Sequence, residues 1–509
     1  MTTDDGAAGA RTSGGPDDAG RRPGLGVMTA ACVSTLVVNA NTSAVSILLP
    51  SISADLGVGV DVLQWAVTGY LLVGAAVIVT SGALGDVFGR RRVFVAGLAL
   101  FVISCVLIAL AGSGWMVVLG RLIQGAAGAT ILACGLSLLS VASSGRAQMR
   151  AVSLWGAAAA AGAAGGPVLG GVLNELTGWQ GLFWIDAVVA AACIPLTVRT
   201  VAESRDPNRA PTIDLAGTAL IACVLVPFVF AMTEGPSWGW LSVPTTACLV
   251  LTVVAAVGFV AVERRVASPL VDLRLLRNTR LVAATWVIFV GAGAIAALSF
   301  MLSLYLQDPA TLGLSSLLAG LAMLPLAAVV IVLAPLVTPL AHRFGTRTAV
   351  LGGFVVLTAG FALLTLVTPS WTYGTFLVPL LCVAAGLSLT NGPASSISTS
   401  CVTAEQVGQA SGISNMARYV GGAVMTAVAA GVYGNVISAR AARGAAPGDA
   451  LAAGFSAGSV VLTVFAGLSI MIAIFAAHRP GRPHTIDYAA AAASTTHTLG
   501  VPAGRAARP

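Results

Sequence analysis

The chain has no lysine and few charged residues of any kind. Only 9% of its 509 residues are charged and 57% are hydrophobic, whereas an average soluble protein carries about 25% charged residues. The charges gather between apolar runs of about 20 residues, a length that lets a helix span a bilayer. This composition excludes a soluble globular domain and predicts an all-α polytopic membrane protein.

Cysteine and histidine are sparse, and their placement excludes several kinds of site. The eight cysteines include no CxxC pair, so neither a disulfide framework nor a zinc site is indicated. None of the four histidines lies within an apolar run, which argues against histidine as a proton carrier inside the membrane. The net charge of +7 comes from arginines beside the predicted spans, so it does not indicate nucleic-acid binding. We expect no cofactor, no metal site and no enzymatic activity.

Fourteen apolar runs are predicted to be membrane-spanning helices. Their approximate limits are 27–49, 62–84, 93–111, 114–138, 150–174, 182–201, 214–234, 243–263, 281–306, 316–338, 348–367, 374–398, 410–436 and 454–477. If successive spans alternate in direction, 22 of the 26 arginines fall on one side of the membrane and two on the other. Because positive residues concentrate on the cytoplasmic side, we expect a cytoplasmic-membrane protein with both termini in the cytoplasm.

A weak repeat predicts how the spans are grouped. Phe88-Gly89-Arg90-Arg91 follows span 2, and Phe344-Gly345-Thr346-Arg347 follows span 10. The two copies are eight spans apart, of which six make up one repeat unit and two are an insertion. The repeat predicts two parallel six-helix halves around a central cavity. The predicted division is a disordered cytoplasmic N-terminus at 1–26, a first bundle at 27–201, a linker with two extra helices at 202–280, a second bundle at 281–477 and a cytoplasmic tail at 478–509.

Polar side chains inside the spans are candidates for a substrate cavity, because an unpaired amide or charge in hydrocarbon is costly. Span 4 carries Arg121 and Gln124 on one helix face, and span 13 carries Asn415 and Arg418 on another. The alternative at each position is structural hydrogen bonding between helices. The predicted cavity residues are Asn39, Asn41, Gln64, Tyr70, Gln124, Asn391, Asn415 and Arg418.

Two charged residues inside spans are candidates for proton coupling. Arg121 keeps its proton when buried, so it must be paired or solvated. Asp186, near the start of span 6, is the one carboxylate clearly inside a span. It can act as a proton acceptor there, and the alternative is a solvated aspartate at a helix N-terminus.

Two glycine-rich stretches have a steric rather than a chemical role. In the turn after span 2, Gly85 and Gly89 permit a tight reversal, and Asp86 precedes three arginines. The alternative is an ordinary basic turn. In span 5 the small residues include Gly162, Gly166, Pro167, Gly170 and Gly171. They predict close packing against a neighbouring helix, and the functional alternative is that the same face is a hinge.

These stretches together resemble the fourteen-helix drug:proton antiporter subfamily of the major facilitator superfamily. The motifs are Gly82-x-Leu84-x-Asp86-x-x-Gly89-Arg90-Arg91-Arg92, Gly120-Arg121 through Gly125, Gly162-x-x-x-Gly166-Pro167-x-x-Gly170-Gly171, Glu263-Arg264-Arg265-x-x-x-Pro269-Leu270-x-Asp272-Leu273 and Ser411-Gly412-x-x-Asn415-x-x-Arg418. The resemblance implies alternating access, with a gating loop formed by Gly82, Asp86, Gly89, Arg90 and Arg91. It also implies that Arg121 serves proton coupling and that the span 5 motif favours antiport.

The chain departs from the family pattern at two informative places. The family commonly has an aspartate in helix 1, nine residues before the proline that closes the helix, where this chain has Asn41. At the start of helix 6 the family often has asparagine, where this chain has Asp186. We therefore hypothesise that Asp186 takes over part of the proton-linked role.

The predicted function is proton-driven efflux of an amphipathic drug or metabolite by a monomer in the lipid bilayer. One alternative is a dedicated exporter of a single metabolite made by the host cell. A non-transporting membrane sensor on the same fold is the other. The motif in span 5 argues against an uptake symporter.

Overall fold

The computed structural model describes residues 24–205, 214–266, 271–403 and 406–476. Within these ranges fourteen helices are long and apolar enough to cross a membrane, which confirms the predicted number of spans. They are α1 Leu25–Leu56, α2 Val60–Phe88, α3 Arg90–Ala109, α4 Gly114–Ala142, α5 Gly145–Thr177, α6 Gln180–Thr200, α7 Leu215–Trp238, α8 Val243–Glu263, α9 Thr279–Gln307, α10 Ser316–Phe344, α11 Thr346–Leu364, α12 Tyr373–Ser400, α13 Val407–Ala441 and α14 Pro447–Ala476.

Most helices extend a few residues beyond the predicted apolar runs. Helix α13 covers 407–441 where the run covers 410–436, because polar turns at its ends continue the hydrogen-bonded backbone. Helix α1 begins at Leu25, so it includes two residues assigned to the N-terminal segment. Residues 1–23 of that segment and all of the 478–509 tail lie outside the described residues.

Local chemistry explains where many helices begin and end. Ser113, Asp214 and Ser315 each accept a hydrogen bond from a backbone N–H in the first turn of the helix that follows, which satisfies a donor that has no partner within the helix. The short breaks after α2 and α10 fall at Gly89 and Gly345, with φ of +114° and +87°. Glycine adopts such angles without a Cβ penalty. The two glycines occupy corresponding positions of the sequence repeat.

The helices pack as two bundles with a hairpin between them. In the first bundle, α1 packs on α4, α5 and α6, while α4 also packs on α2 and α3. In the second bundle, α9 packs on α12 and α13, and α11 packs on α12 and α14. Helices α7 and α8 pair with each other, and α7 also contacts α2 and α13. The inserted hairpin therefore lies beside the seam where the bundles meet.

The bundles meet through α2–α13, α5–α10 and α1–α9. We call the end that carries the loop at Gly89 to Arg92 the basic end. Hydrogen bonds between the bundles cluster towards the opposite end: Asn174 Nδ2 donates to Ser316 Oγ at 2.9 Å, and Gln307 Nε2 donates to the Ile47 carbonyl at 3.1 Å. The opposite end is therefore the closed one in this conformation.

Candidate functional site

Polar side chains from several helices meet inside the first bundle. At their centre is Arg121, seven residues after Gly114 on α4 and only 1% exposed. Its Nε donates to the Ala66 carbonyl at 2.9 Å, and its Nη1 donates to Asn41 Oδ1 at 2.6 Å and to Gln124 Oε1. A buried guanidinium retains its charge, so these acceptors replace the water that it has lost.

Asn41 on α1 joins this arginine to the carboxylate on α6. While Asn41 Oδ1 accepts from Arg121, its Nδ2 donates to Asp186 Oδ2 at 2.7 Å. A guanidinium offers only donors and a carboxylate only acceptors, so one orientation of the amide satisfies both. We call Arg121, Asn41 and Asp186 the bridged triad. It holds two opposite charges with an amide between them, in a site where their attraction is weakly screened.

Asp186 lies deeper than the sequence interpretation placed it. Helix α6 begins at Gln180, so Asp186 is six residues inside the helix, and it is 5% exposed. It is therefore not a solvated side chain at a helix end, which was one of the two alternatives. A buried carboxylate needs a hydrogen-bond partner, and Asn41 provides one.

Tyr70 on α2 covers the arginine. Its ring centroid lies 4.1 Å from Arg121 Cζ, a cation–π distance, and its hydroxyl receives a hydrogen bond from Thr42 Oγ1 at 2.9 Å. A Cβ added at Gly125 would collide with the Tyr70 carbonyl oxygen, and one at Gly128 would lie 2.8 Å from the Tyr70 hydroxyl oxygen. The two glycines thus allow α2 to approach α4 closely.

The remaining predicted cavity residues make no hydrogen bond to the triad in the part of the chain that the structure describes. Asn39 is half-buried and donates to the Thr35 carbonyl of its own helix at 2.8 Å. Gln64 is buried, and its Nε2 has no hydrogen-bond partner among the described residues. On α13, Asn415 is half-buried and Arg418 is exposed.

The second bundle contains a cavity of about 410 Å³ between α10 and α12, on the side of the basic end. Asn391 lines it and packs against Gly291 of α9, and Asn391 Oδ1 is buried without a hydrogen-bond partner in the described part of the chain. The lining also includes hydroxyl residues and apolar residues: Thr346, Ser388, Ser396, Ser400, Val330, Val337, Ala341, Leu387, Gly392, Pro393 and Ile397. These groups suit an apolar molecule with a few polar substituents.

The gating-loop residues are tied to the chain segment that follows α6. Arg90 Nη2 lies 2.8 Å from Asp86 Oδ1, and the Nε atoms of Arg91 and Arg92 lie 3.8 Å and 3.6 Å from Glu203 Oε2. The Arg91 N–H also donates to Glu203 Oε1 at 3.1 Å. These contacts hold the loop against the segment that follows α6.

The span 5 motif forms a close-packing face, as predicted. A Cβ added at Gly162 or Gly166 would collide with carbonyl oxygens of α1. One at Gly171 would lie 2.6 Å from the Ser316 carbonyl oxygen of α10. The motif therefore packs on its own bundle along one face and on the other bundle near the closed end. Its role as a hinge stays a prediction.

Sequence reasoning did not identify several partners of these groups. Cys105 Sγ accepts a hydrogen bond from Gln124 Nε2 at 3.1 Å, Glu203 pairs with the basic loop, and Gln307 links the bundles. Glu203 follows the last turn of a helix and Gln307 ends one, where charged or polar residues are ordinary. No spacing or motif distinguishes these three residues in the sequence.

Comparison with known proteins places this geometry in a family. A family model described as Major Facilitator Superfamily matches residues 31–426. The "Multidrug resistance protein Stp" of Mycobacterium tuberculosis is 33% identical over 396 residues, which cover 78% of this chain and 73% of that protein. The "Tetracenomycin C resistance and export protein" of Streptomyces glaucescens is 30% identical over 414 residues, covering 79% and 73% respectively.

Solved structures share the fold. The human organic anion transporter MFSD10 superposes with a TM-score of 0.60 at 17% identity, covering 88% of this chain and 99% of that chain. An auto-inhibited POT family peptide transporter superposes with a TM-score of 0.65 at 14% identity, covering 91% of this chain and 98% of that chain. At such low identity these likenesses concern the fold alone. The match of the family model across most of the spans shows that the chain belongs to the major facilitator superfamily.

Proposed function

We propose that the protein exports amphipathic small molecules across the cytoplasmic membrane in exchange for protons. Membership of the family and the curated relatives named for drug resistance and export support the efflux part of the proposal. The bridged triad supports the proton part. In the triad Asp186, a buried carboxylate six residues inside α6, is joined through Asn41 to the buried Arg121, and a titratable group in that position is a candidate proton carrier.

The arginine distribution supports a cytoplasmic location for the basic end and for both termini. Because the opposite end is closed in this conformation, the interior then faces the cytoplasm, where an exported molecule must enter. We further propose that a single chain in the bilayer suffices, with its two bundles rocking about the α2–α13 and α5–α10 contacts.

Proton transfer at Asp186 would change the charge balance of the whole triad. The ionised carboxylate accepts from Asn41 and balances the charge of Arg121. When a proton from the outer face binds a carboxyl oxygen, that balance is lost and the new O–H needs an acceptor. Asn41 can still donate to the other carboxyl oxygen, but the buried charge of Arg121 is then left without its counter-charge. Protonation is thereby linked to the packing of α1, α4 and α6.

Replacement of Asp186 by asparagine tests this proposal. The variant keeps the shape of the side chain and an acceptor oxygen for Asn41, but it cannot carry the proton. We expect Asp186→Asn to fold and to move substrate only down its concentration gradient, with loss of substrate-driven proton release. The measurement uses proteoliposomes that contain a pH-sensitive dye and a panel of amphipathic fluorescent substrates.

Asp61→Asn is a suitable control, since Asp61 is an exposed carboxylate in the first turn of α2. It should leave proton release unchanged. Normal proton release by a folded Asp186→Asn variant would contradict the coupling role. Failure of the wild-type protein to move any compound in the panel would contradict export itself.

A further inference from the structure

Arg418 lies deep in the molecule on a helix face that points between the two bundles. It is eleven residues into α13, about 16 Å from the start of that helix. One turn further, a Cβ added at Gly421 would collide with the Phe289 carbonyl of α9, and one at Gly422 would lie 3.0 Å from Leu71 of α2. Since i+3 and i+4 neighbours share a helix face, Arg418 projects into the space between α2 and α9. It is exposed there.

Within the described residues, Arg418 has no ion-pair partner. Helices α9 and α12 contain no carboxylate. Tyr419, the neighbour of Arg418 on α13, packs its ring on Gly74 of α2. Asp86 of α2 lies twelve residues, or about 18 Å, further along that helix. Asp86 is also paired with Arg90. Asp186 is buried in the first bundle and bonded to Asn41.

The nearby cavity contributes no negative charge either. Asn391, which lines it, packs on Gly291 of α9, two residues from the Phe289 that contacts α13. The cavity and Arg418 therefore lie at similar depth on either side of α9. The described lining of the cavity consists of hydroxyl, amide and apolar groups. Neither α9, α12 nor the described lining of the cavity thus supplies a carboxylate that balances the charge of Arg418.

An unpaired arginine in such an interior needs water or a counter-ion, and it disfavours a second cation. We propose that the exported molecules are amphipathic acids, with an apolar body and one carboxylate or sulfonate, and that Arg418 binds the anionic group. The planar guanidinium suits either anion because it offers two parallel N–H donors. This inference rests on the proposed export function and narrows it to a class of substrate.

Two dyes that differ by one charged group provide the test. 8-Anilinonaphthalene-1-sulfonate is an amphipathic anion, and N-phenyl-1-naphthylamine is the same skeleton without the sulfonate. Ethidium serves as the cation. We expect proteoliposomes of the full chain under a proton gradient to transport the sulfonate in preference to ethidium. Arg418→Gln should raise the KM for the sulfonate about tenfold, because that factor corresponds to the free energy of one charge-assisted hydrogen bond. Transport of the neutral dye should not change.

Two further variants make the result specific. Arg418→Lys keeps the charge and should recover part of the affinity for the sulfonate, which also guards against a variant that fails to fold. Arg440→Gln removes an exposed arginine near the end of the same helix and should have no effect.

Transport of ethidium but not of the sulfonate would overturn the inference while leaving export intact. An equal loss of both naphthalene dyes in Arg418→Gln would overturn it as well. If the wild type moved none of the three, both the export proposal and this inference would fall.

Discussion

At the scale of single residues, Asn41 is the side chain on which the buried charges depend. It accepts from Arg121 at 2.6 Å and donates to Asp186 at 2.7 Å. Leucine has the same branched arrangement of side-chain heavy atoms but makes neither hydrogen bond, so Asn41→Leu would leave two buried charges without their shared partner. Breaking a buried charged pair costs about 3–5 kcal/mol. We expect a clearly lower thermal unfolding temperature in detergent and loss of substrate-driven proton release.

Asn39 offers a matched control two residues away on the same helix. Its amide donates only to the Thr35 carbonyl of its own helix, and it is half-buried. Asn39→Leu should therefore change the unfolding temperature little. If both leucine variants unfolded at the same temperature as the wild type, the triad would contribute nothing measurable to stability.

The sequence indicated each member of the triad but not their contact. Arg121 and Asp186 were recognisable as charges inside apolar runs, and Asn41 as an amide in place of the family's carboxylate. Which of them meet depends on the rotation and depth of α1, α4 and α6, and small residues around those helices set both. For the same reason, the sequence did not reveal that Asn41, Tyr70 and Gln124 are buried in this conformation. Their exposure to substrate in another conformation stays a prediction.

At the scale of helices, the contact between α5 and α1 depends on how closely their backbones approach. A Cβ at Gly166 would collide with the Ala40 carbonyl oxygen of α1, next to Asn41, whereas one at Gly165 would meet no atom of the described residues within 4 Å. Overpacking costs about 1–3 kcal/mol, while alanine for glycine in an open helix position gains about 0.5–1 kcal/mol. We expect Gly166→Ala to lower the unfolding temperature and the efflux rate, and Gly165→Ala to preserve both.

The helices themselves were predictable because hydrocarbon leaves the backbone little choice. A run of about 20 apolar residues must satisfy its own peptide groups, and a helix does so. The limits were less accurate, as α13 shows, because polar end turns lie outside the hydrocarbon and carry no hydropathy signal. Equal stability of Gly166→Ala and Gly165→Ala would mean that α1 and α5 have room that their backbone positions do not indicate.

At the scale of the whole molecule, transport requires the closed end to open. That end is held by contacts between the bundles, among them Asn174 Nδ2 to Ser316 Oγ at 2.9 Å. We expect a short bis-methanethiosulfonate reagent to link Asn174→Cys to Ser316→Cys, in a background without the native cysteines. The linked protein should still bind substrate from the basic end but should not transport it, and a reducing agent should restore transport.

Each single cysteine variant treated with the same reagent should remain active. Full transport by the linked protein would show that the two bundles need not separate at this end, and alternating access about this seam would have to be abandoned.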